Sequence, residues 1–132
     1  NILTYDVSSR NLFISRLLRS LKKDNCVKLD IHKNTYKDFI TSDLFVKILD
    51  KMIKKNTTGK FNLSSSIKVK VIEIINQVIN GYGKGKIVIM KKIKKNESFS
   101  LKNNKLKKFI KFKTSKKEIL KYCFNLGRKL NE

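Results

Sequence analysis

Val27, Leu29 and Ile31 alternate with Lys28, Asp30 and His32, a period of two that marks a β-strand with one wet face, and helical spacing brackets it on both sides. Upstream, Phe13, Leu17, Leu18 and Leu21 recur at helical intervals. Ser8 or Ser9 can cap that helix, and Lys22 and Lys23 close it with the cations a helix C-terminus favours. Downstream, a turn at residues 33–35 leads to an extended Phe39-Ile40 pair. Ser42 or Asp43 then caps a helix with Phe45, Ile48, Leu49, Met52 and Ile53 on one side. The second half repeats the alternation. FNLS (61–64) reads as a short buried strand behind the Gly59 loop, and Val71, Ile72, Ile74, Ile75, Val78 and Ile79 make a helix apolar on more than one face, to be packed between other elements. Gly81 is placed to end that helix in a left-handed conformation, and residues 87–90 give another strand. Residues 103–109 form a short helix, and SKKE (115–118) is a capping box that opens a last helix burying Ile119, Cys123, Leu126 and Leu130. Alternation of this kind predicts a single α/β unit over residues 1–132, with about five helices and four short strands.

A net charge of +22 would ordinarily point to a polyanionic partner. The composition supplies a simpler source. The chain has no Ala, Pro or Trp and only four Arg (Arg10, Arg16, Arg19 and Arg128) among its 32 basic residues, as A/T-rich codons would produce. Planar, bidentate grip on phosphate favours Arg over Lys, and the lysines spread over every element without forming one stripe interleaved with aromatics. The expectation is a solvated lysine surface with no specific nucleic-acid partner, although lysine in this quantity gives weak, salt-sensitive association with any polyanion. No basic-then-apolar leader precedes Ile2, and no apolar run approaches the roughly 18 to 20 residues that span a bilayer. A cytoplasmic chain with no membrane partner is expected. Residues 91–95 are the strongest charge run and read as a solvated loop.

The chemistry-bearing residues are sparse. Cys26 and Cys123 lie far apart, and His32 is the one histidine, so zinc has too few ligands and no metal site is expected. GYGKGK (81–86) resembles a phosphate-cradling glycine loop, but such a loop leaves a strand and opens a helix, whereas these glycines follow a helix and precede a strand. It reads as a C-cap turn. His32 has no partnered nucleophile at a suggestive spacing, and the ten carboxylates form no evident close pair, so no catalytic residues are assigned.

Longer segments carry more. KDFITSDLFVKIL (37–49) resembles the R-D-F-I-x-V-x-D-x-x-x-A-I segment in the C-terminal half of extended short-chain dehydrogenases/reductases, the NAD-dependent sugar-nucleotide epimerases and dehydratases. GKFNLSSSIKVKVIEII (59–75) is similar to the family's G-x-x-F-N-[IV]-G-S-G-x-x-x-S-V-x-E-L, and FSLKNNKLKKFIKFKTSKKEIL (99–120) to its closing L-D-x-S-K-L-K-K-L-G segment. FISRLLRSL (13–21) matches the helix before them, and Asn1-Ile2-Leu3 the end of the R-x-x-N-V-Y-G strand. The likeness spans nearly the whole chain in the family's order.

That resemblance implies the substrate-binding C-terminal portion of a Rossmann-type sugar-nucleotide epimerase, dehydratase or reductase. At the position of Lys37 the family carries an arginine that reaches the substrate diphosphate, the neighbouring Asp braces the strand, and the Asn matching Asn1 contacts the same phosphates. Lys91 or Lys92 stands near a second phosphate-binding arginine, so Asn1, Lys37 and Lys92 are the expected nucleotide-sugar ligands. At Lys37 a point-like ammonium replaces a bidentate fork. The chain also departs from the pattern. Ser64, Ser65 and Ser66 replace G-S-G, so a turn wanting positive φ is expected to find another conformation. Lys70 leaves half a capping box with Glu73, and Lys102 replaces an Asp. The resemblance implies a preceding NAD- or NADP-binding domain with G-x-x-G-x-x-G and Y-x-x-x-K, and these residues are expected to supply neither; Tyr36 and Tyr122 have no lysine four residues on. The 132 residues alone are expected to bind no cofactor and to turn nothing over, and the intact parent to act on a nucleotide sugar, with a homodimer left open. The competing reading is a basic nucleic-acid-binding module or a structural remnant.

Overall fold

Helical and extended periods resolve into five helices and six short strands in the computed structural model, which describes residues 1–8, 12–90 and 96–132. The strands pair two by two. β1 (Ile2–Leu3) lies parallel to β4 (Ile40–Thr41), with Ile2 opposite Ile40. β2 (Cys26–Leu29) lies parallel to β6 (Lys86–Ile89), and β3 (Tyr36–Asp38) runs antiparallel to β5 (Lys68–Lys70), with Lys37 opposite Val69. Parallel partners need a long crossover. Here the β2-to-β6 connection contains two helices, which is how α/β character arises from strands of two to four residues.

α1 (Phe13–Asp24) buries Leu17, Leu18 and Leu21 as its spacing predicts, but Ile14 is buried in the main core and Phe13 is only half-buried against it. Its start differs from the serine cap expected. Leu12 occupies the N-cap without a side-chain acceptor, while Ser8 is tied through its N–H and hydroxyl to the Asp6 carboxylate at 2.8 and 2.6 Å; Ser9 lies outside the described residues. α2 (Ser42–Lys54) is capped by Thr41, whose hydroxyl accepts from the Leu44 N–H at 3.3 Å, one position before the predicted caps. Its C-terminal turn also departs from expectation. Ile48 is fully buried but Ile53 is 74% exposed, because the second, smaller core of Ile40, Ile48, Leu106 and Ile110 ends before it.

α3 (Val71–Tyr82) is apolar around much of its circumference because it lies between α1 and α5 (Lys116–Arg128), with Val71, Ile74, Ile75 and Val78 in the main core. The left-handed residue that ends it is Gly83 (φ +78), not Gly81. Gly81 is helical and serves the crossing instead. A Cβ there would come 1.9 Å from the Phe124 carbonyl oxygen of α5, and one on Gly127 would come 2.0 Å from the Val78 carbonyl oxygen of α3. Reciprocal glycines thus let the two backbones touch. The helices are also joined by Lys116 to Glu73, Nζ to carboxylate 2.7 Å. Burial would raise the Glu73 pKa, but the Lys116 hydrogen bond and the Lys70 backbone N–H outweigh it and hold the carboxyl below its ordinary 4.5.

Capping follows the sequence at α5, where Ser115 and Glu118 exchange hydrogen bonds, and at α3, where Glu73 accepts from the Lys70 N–H while the Lys70 ammonium has no lone pair to return. FNLS is not a strand. Its backbone is bound by side chains instead, with the Asn103 amide donating to the Ser64 carbonyl at 2.7 Å and α4 (Asn104–Phe109) following directly. Among the described residues no helix is long and apolar enough to cross a membrane.

Candidate functional site

The two directions of a strand's side chains build the site from β3. Residues two apart share a face, so Lys37 and Phe39 turn one way and Asp38 the other. Lys37 and Phe39 face a cleft of about 470 Å³, whose other walls come from β1, α1, β2 and the start of α3. Asp38 is buried, 3% exposed, where its carboxylate accepts from the Ser65 N–H (3.1 Å), the Ser65 hydroxyl (2.9 Å) and the Leu101 N–H (3.4 Å). One carboxylate therefore ties β3 to two separate loops. Asn1 reaches the same strand. Its carbonyl accepts from the Ile40 N–H at 3.0 Å and its side-chain amide donates to the Asp38 carbonyl at 3.1 Å, which fixes Asn1 on the cleft rim.

Asn1 and Lys37, distant in sequence, thus line one cleft. The Lys37 ammonium stands 5.1 Å from the centroid of the Phe99 ring, a cation–π contact that limits where the charge can move. Lys91 and Lys92 lie outside the described residues. Three further charged residues line the cleft: Arg16 from α1, and Lys28 and Asp30 on the β2 side. Arg16 had a legible signal, since Phe13, Leu17 and Ser20 share its side of the helix at three- and four-residue spacing and also line the cleft. With Arg16, Lys28 and Lys37 against Asp30, the lining carries an excess of positive charge beside apolar Leu17 and Phe39.

The serine turn keeps the backbone that its glycine counterpart would use. Ser66 adopts φ +59, correcting the expectation of another conformation, and its hydroxyl donates to the Leu101 carbonyl at 2.8 Å, so a local hydrogen bond offsets the steric cost of the left-handed region. Lys102 is exposed at the surface, its carbonyl accepting from the Asn62 amide at 3.0 Å.

Among the described residues no acid–base pair forms in the cleft. Tyr122 shares a 2.7 Å hydrogen bond with Ser42, and burial raises its pKa above the ordinary value. Tyr82 and Lys86 do stand four residues apart, but α3 ends between them, leaving Tyr82 buried and Lys86 in β6, not on one helical turn. Cys123 is buried, its thiol pushed up to about 12 by desolvation, and so is inert as a nucleophile at neutral pH. His32 sits beyond the end of β2, where its Nδ1 accepts from the Asn34 N–H at 3.2 Å and closes a turn. Among the described residues no cluster of three His, Cys, Asp or Glu could hold a metal ion.

Neither a protein-family model nor a curated protein matches this sequence significantly. Solved structures do match the fold. A provisionally assigned epimerase from Burkholderia cenocepacia J2315 superposes with a TM-score of 0.73 at 18% identity, covering 98% of this chain and 45% of that one. The chain has an epimerase/reductase-like fold. RMD from Pseudomonas aeruginosa, in complex with NADPH, superposes with a TM-score of 0.67 at 13% identity, over 92% of this chain and 44% of RMD. The epimerase/reductase-like chain described here therefore spans less than half the length of either neighbour.

Proposed function

We propose that this chain is the substrate-binding portion of a nucleotide-sugar epimerase, dehydratase or reductase, and that the cleft takes the nucleotide diphosphate. The observation that carries the reading is the meeting of Asn1 and Lys37 on one cleft with a surplus of cations. Lys37 supplies a point charge to the phosphates, and the Asn1 amide sits beside it on the rim. Lys92 is a third contact drawn from the family resemblance. Asp38 touches no ligand in this scheme; it fixes the strand that presents Lys37 through its bonds to Ser65 and Leu101. The apolar wall of Leu17 and Phe39 excludes water and strengthens each charge contact.

A nicotinamide cofactor, NAD or NADP, supplies hydride transfer, bound by a dinucleotide domain outside these 132 residues. The NADPH in the RMD structure supports that choice of cofactor class. In this scheme the portion binds and orients substrate, and proton transfer belongs to the rest of the enzyme. Calorimetric titration of the 132-residue chain with UDP- and dTDP-sugars tests the reading. Binding is expected, and Lys37→Ala should weaken it about tenfold, as loss of one charge-assisted phosphate contact predicts. Absence of binding by every nucleotide sugar, or an affinity indifferent to Lys37, would overturn it.

A further inference from the structure

The cleft holds one cation that helix stability does not explain. Arg16 sits at the end of the first turn of α1, where no acidic residue balances it and the helix dipole disfavours positive charge. Among the described residues it forms no ion pair, and it lines the cleft together with Lys37. Lys37 comes from β3 and Arg16 from α1, so the two charges approach the same space from different walls. Their chemistry differs as well. The Lys37 ammonium is a compact point charge beside the Phe99 ring, whereas a guanidinium presents parallel N–H donors that match two oxygens of one phosphate.

We propose that Arg16 is a phosphate ligand of this cleft, supplying the bidentate fork while Lys37 neutralises the adjoining phosphate, so that the pair selects a diphosphate over a monophosphate. The proposal rests on the reading of the cleft as a nucleotide-diphosphate site. It adds a residue on a different element and a reason for discrimination. A monophosphate can satisfy one wall; two linked phosphates engage both. Lys28 adds positive charge on the β2 side.

Titrations with inorganic pyrophosphate, inorganic phosphate and a nucleoside diphosphate sugar, followed by amide chemical shifts of the whole chain, test it. Arg16 is exposed, so Arg16→Lys and Arg16→Ala should leave the fold intact, as the spectrum itself will report. Arg16→Lys keeps the charge but removes the fork. It should weaken pyrophosphate about tenfold while changing phosphate less than about threefold, because a single phosphate can still be held at the Lys37 wall whereas pyrophosphate loses one of its two anchors. Pyrophosphate binding that depends on Arg16 without any nucleotide-sugar binding would keep this inference and remove the nucleotide-sugar reading. Nucleotide-sugar binding equal in wild type and Arg16→Lys would do the reverse. Failure of both ligands to bind would sink both.

Discussion

Asp38 shows how much one side chain can organise. It accepts three hydrogen bonds from a buried position, and two of them, from the Ser65 N–H and hydroxyl, are themselves buried, so these donors lose their partner once it is removed. Asp38→Ala should therefore cost about 2–4 kcal/mol, more than an ordinary surface carboxylate, since buried donors are left unsatisfied. Urea unfolding measures it, and a loss below about 1 kcal/mol would show that water replaces the carboxylate without penalty. At this scale the chain was partly readable. Lys37 and Asn1 could be named because their neighbours in the chain form a recognisable string. Arg16 could not be named with the same ease: it lies inside a helix whose apolar pattern is about packing, and only the fold brings β3 and β2 up to its side. Ser66 was misjudged because a stereotype about glycine ignored the Leu101 carbonyl, which is remote in sequence and rewards the left-handed serine.

Between elements, the crossing of α3 and α5 is the tightest constraint. Backbone meets backbone at Gly81 and Gly127, so a methyl group at either position must push the helices apart along their whole contact. Gly81→Ala and Gly127→Ala should each destabilise by roughly 3 kcal/mol or more, at the upper end of overpacking effects, because the clashing atoms are main-chain atoms that cannot rotate away. Ala normally favours a helix over Gly by about 1 kcal/mol, so even the sign of the effect discriminates. Thermal melts of the two variants check it; a raised melting temperature in either would mean the helices do not approach so closely. The same crossing explains the misassigned cap. Gly81 and Gly83 both follow an apolar helical run, and local pattern does not separate a residue that ends a helix from one that lets another helix in. The capping box at Ser115 was readable because all of its partners lie within four residues. FNLS was not, since what holds it comes from Asn103 and the Leu101 carbonyl, far away in the chain.

For the molecule as a whole, the order of helices and strands followed from periodicity, whereas which strands pair did not, because pairing joins β1 to β4 and β2 to β6 across long stretches of chain. The net charge of +22 acts at this scale too. Duplex DNA of arbitrary sequence should bind weakly, and the affinity should fall at least about tenfold between about 50 and 200 mM salt, as counterion release requires. Gel-shift titrations at the two salt concentrations, with unrelated duplexes, measure this; sequence-selective binding that persists at the higher salt would favour a nucleic-acid module. The α3–α5 contact has a further consequence for how the chain is made. Val71, Ile74, Ile75 and Val78 emerge from the ribosome well before α5 exists to cover them, because the Gly127 that admits the close approach lies about 50 residues further on. During that interval the most apolar helix of the protein is a natural client for a chaperone.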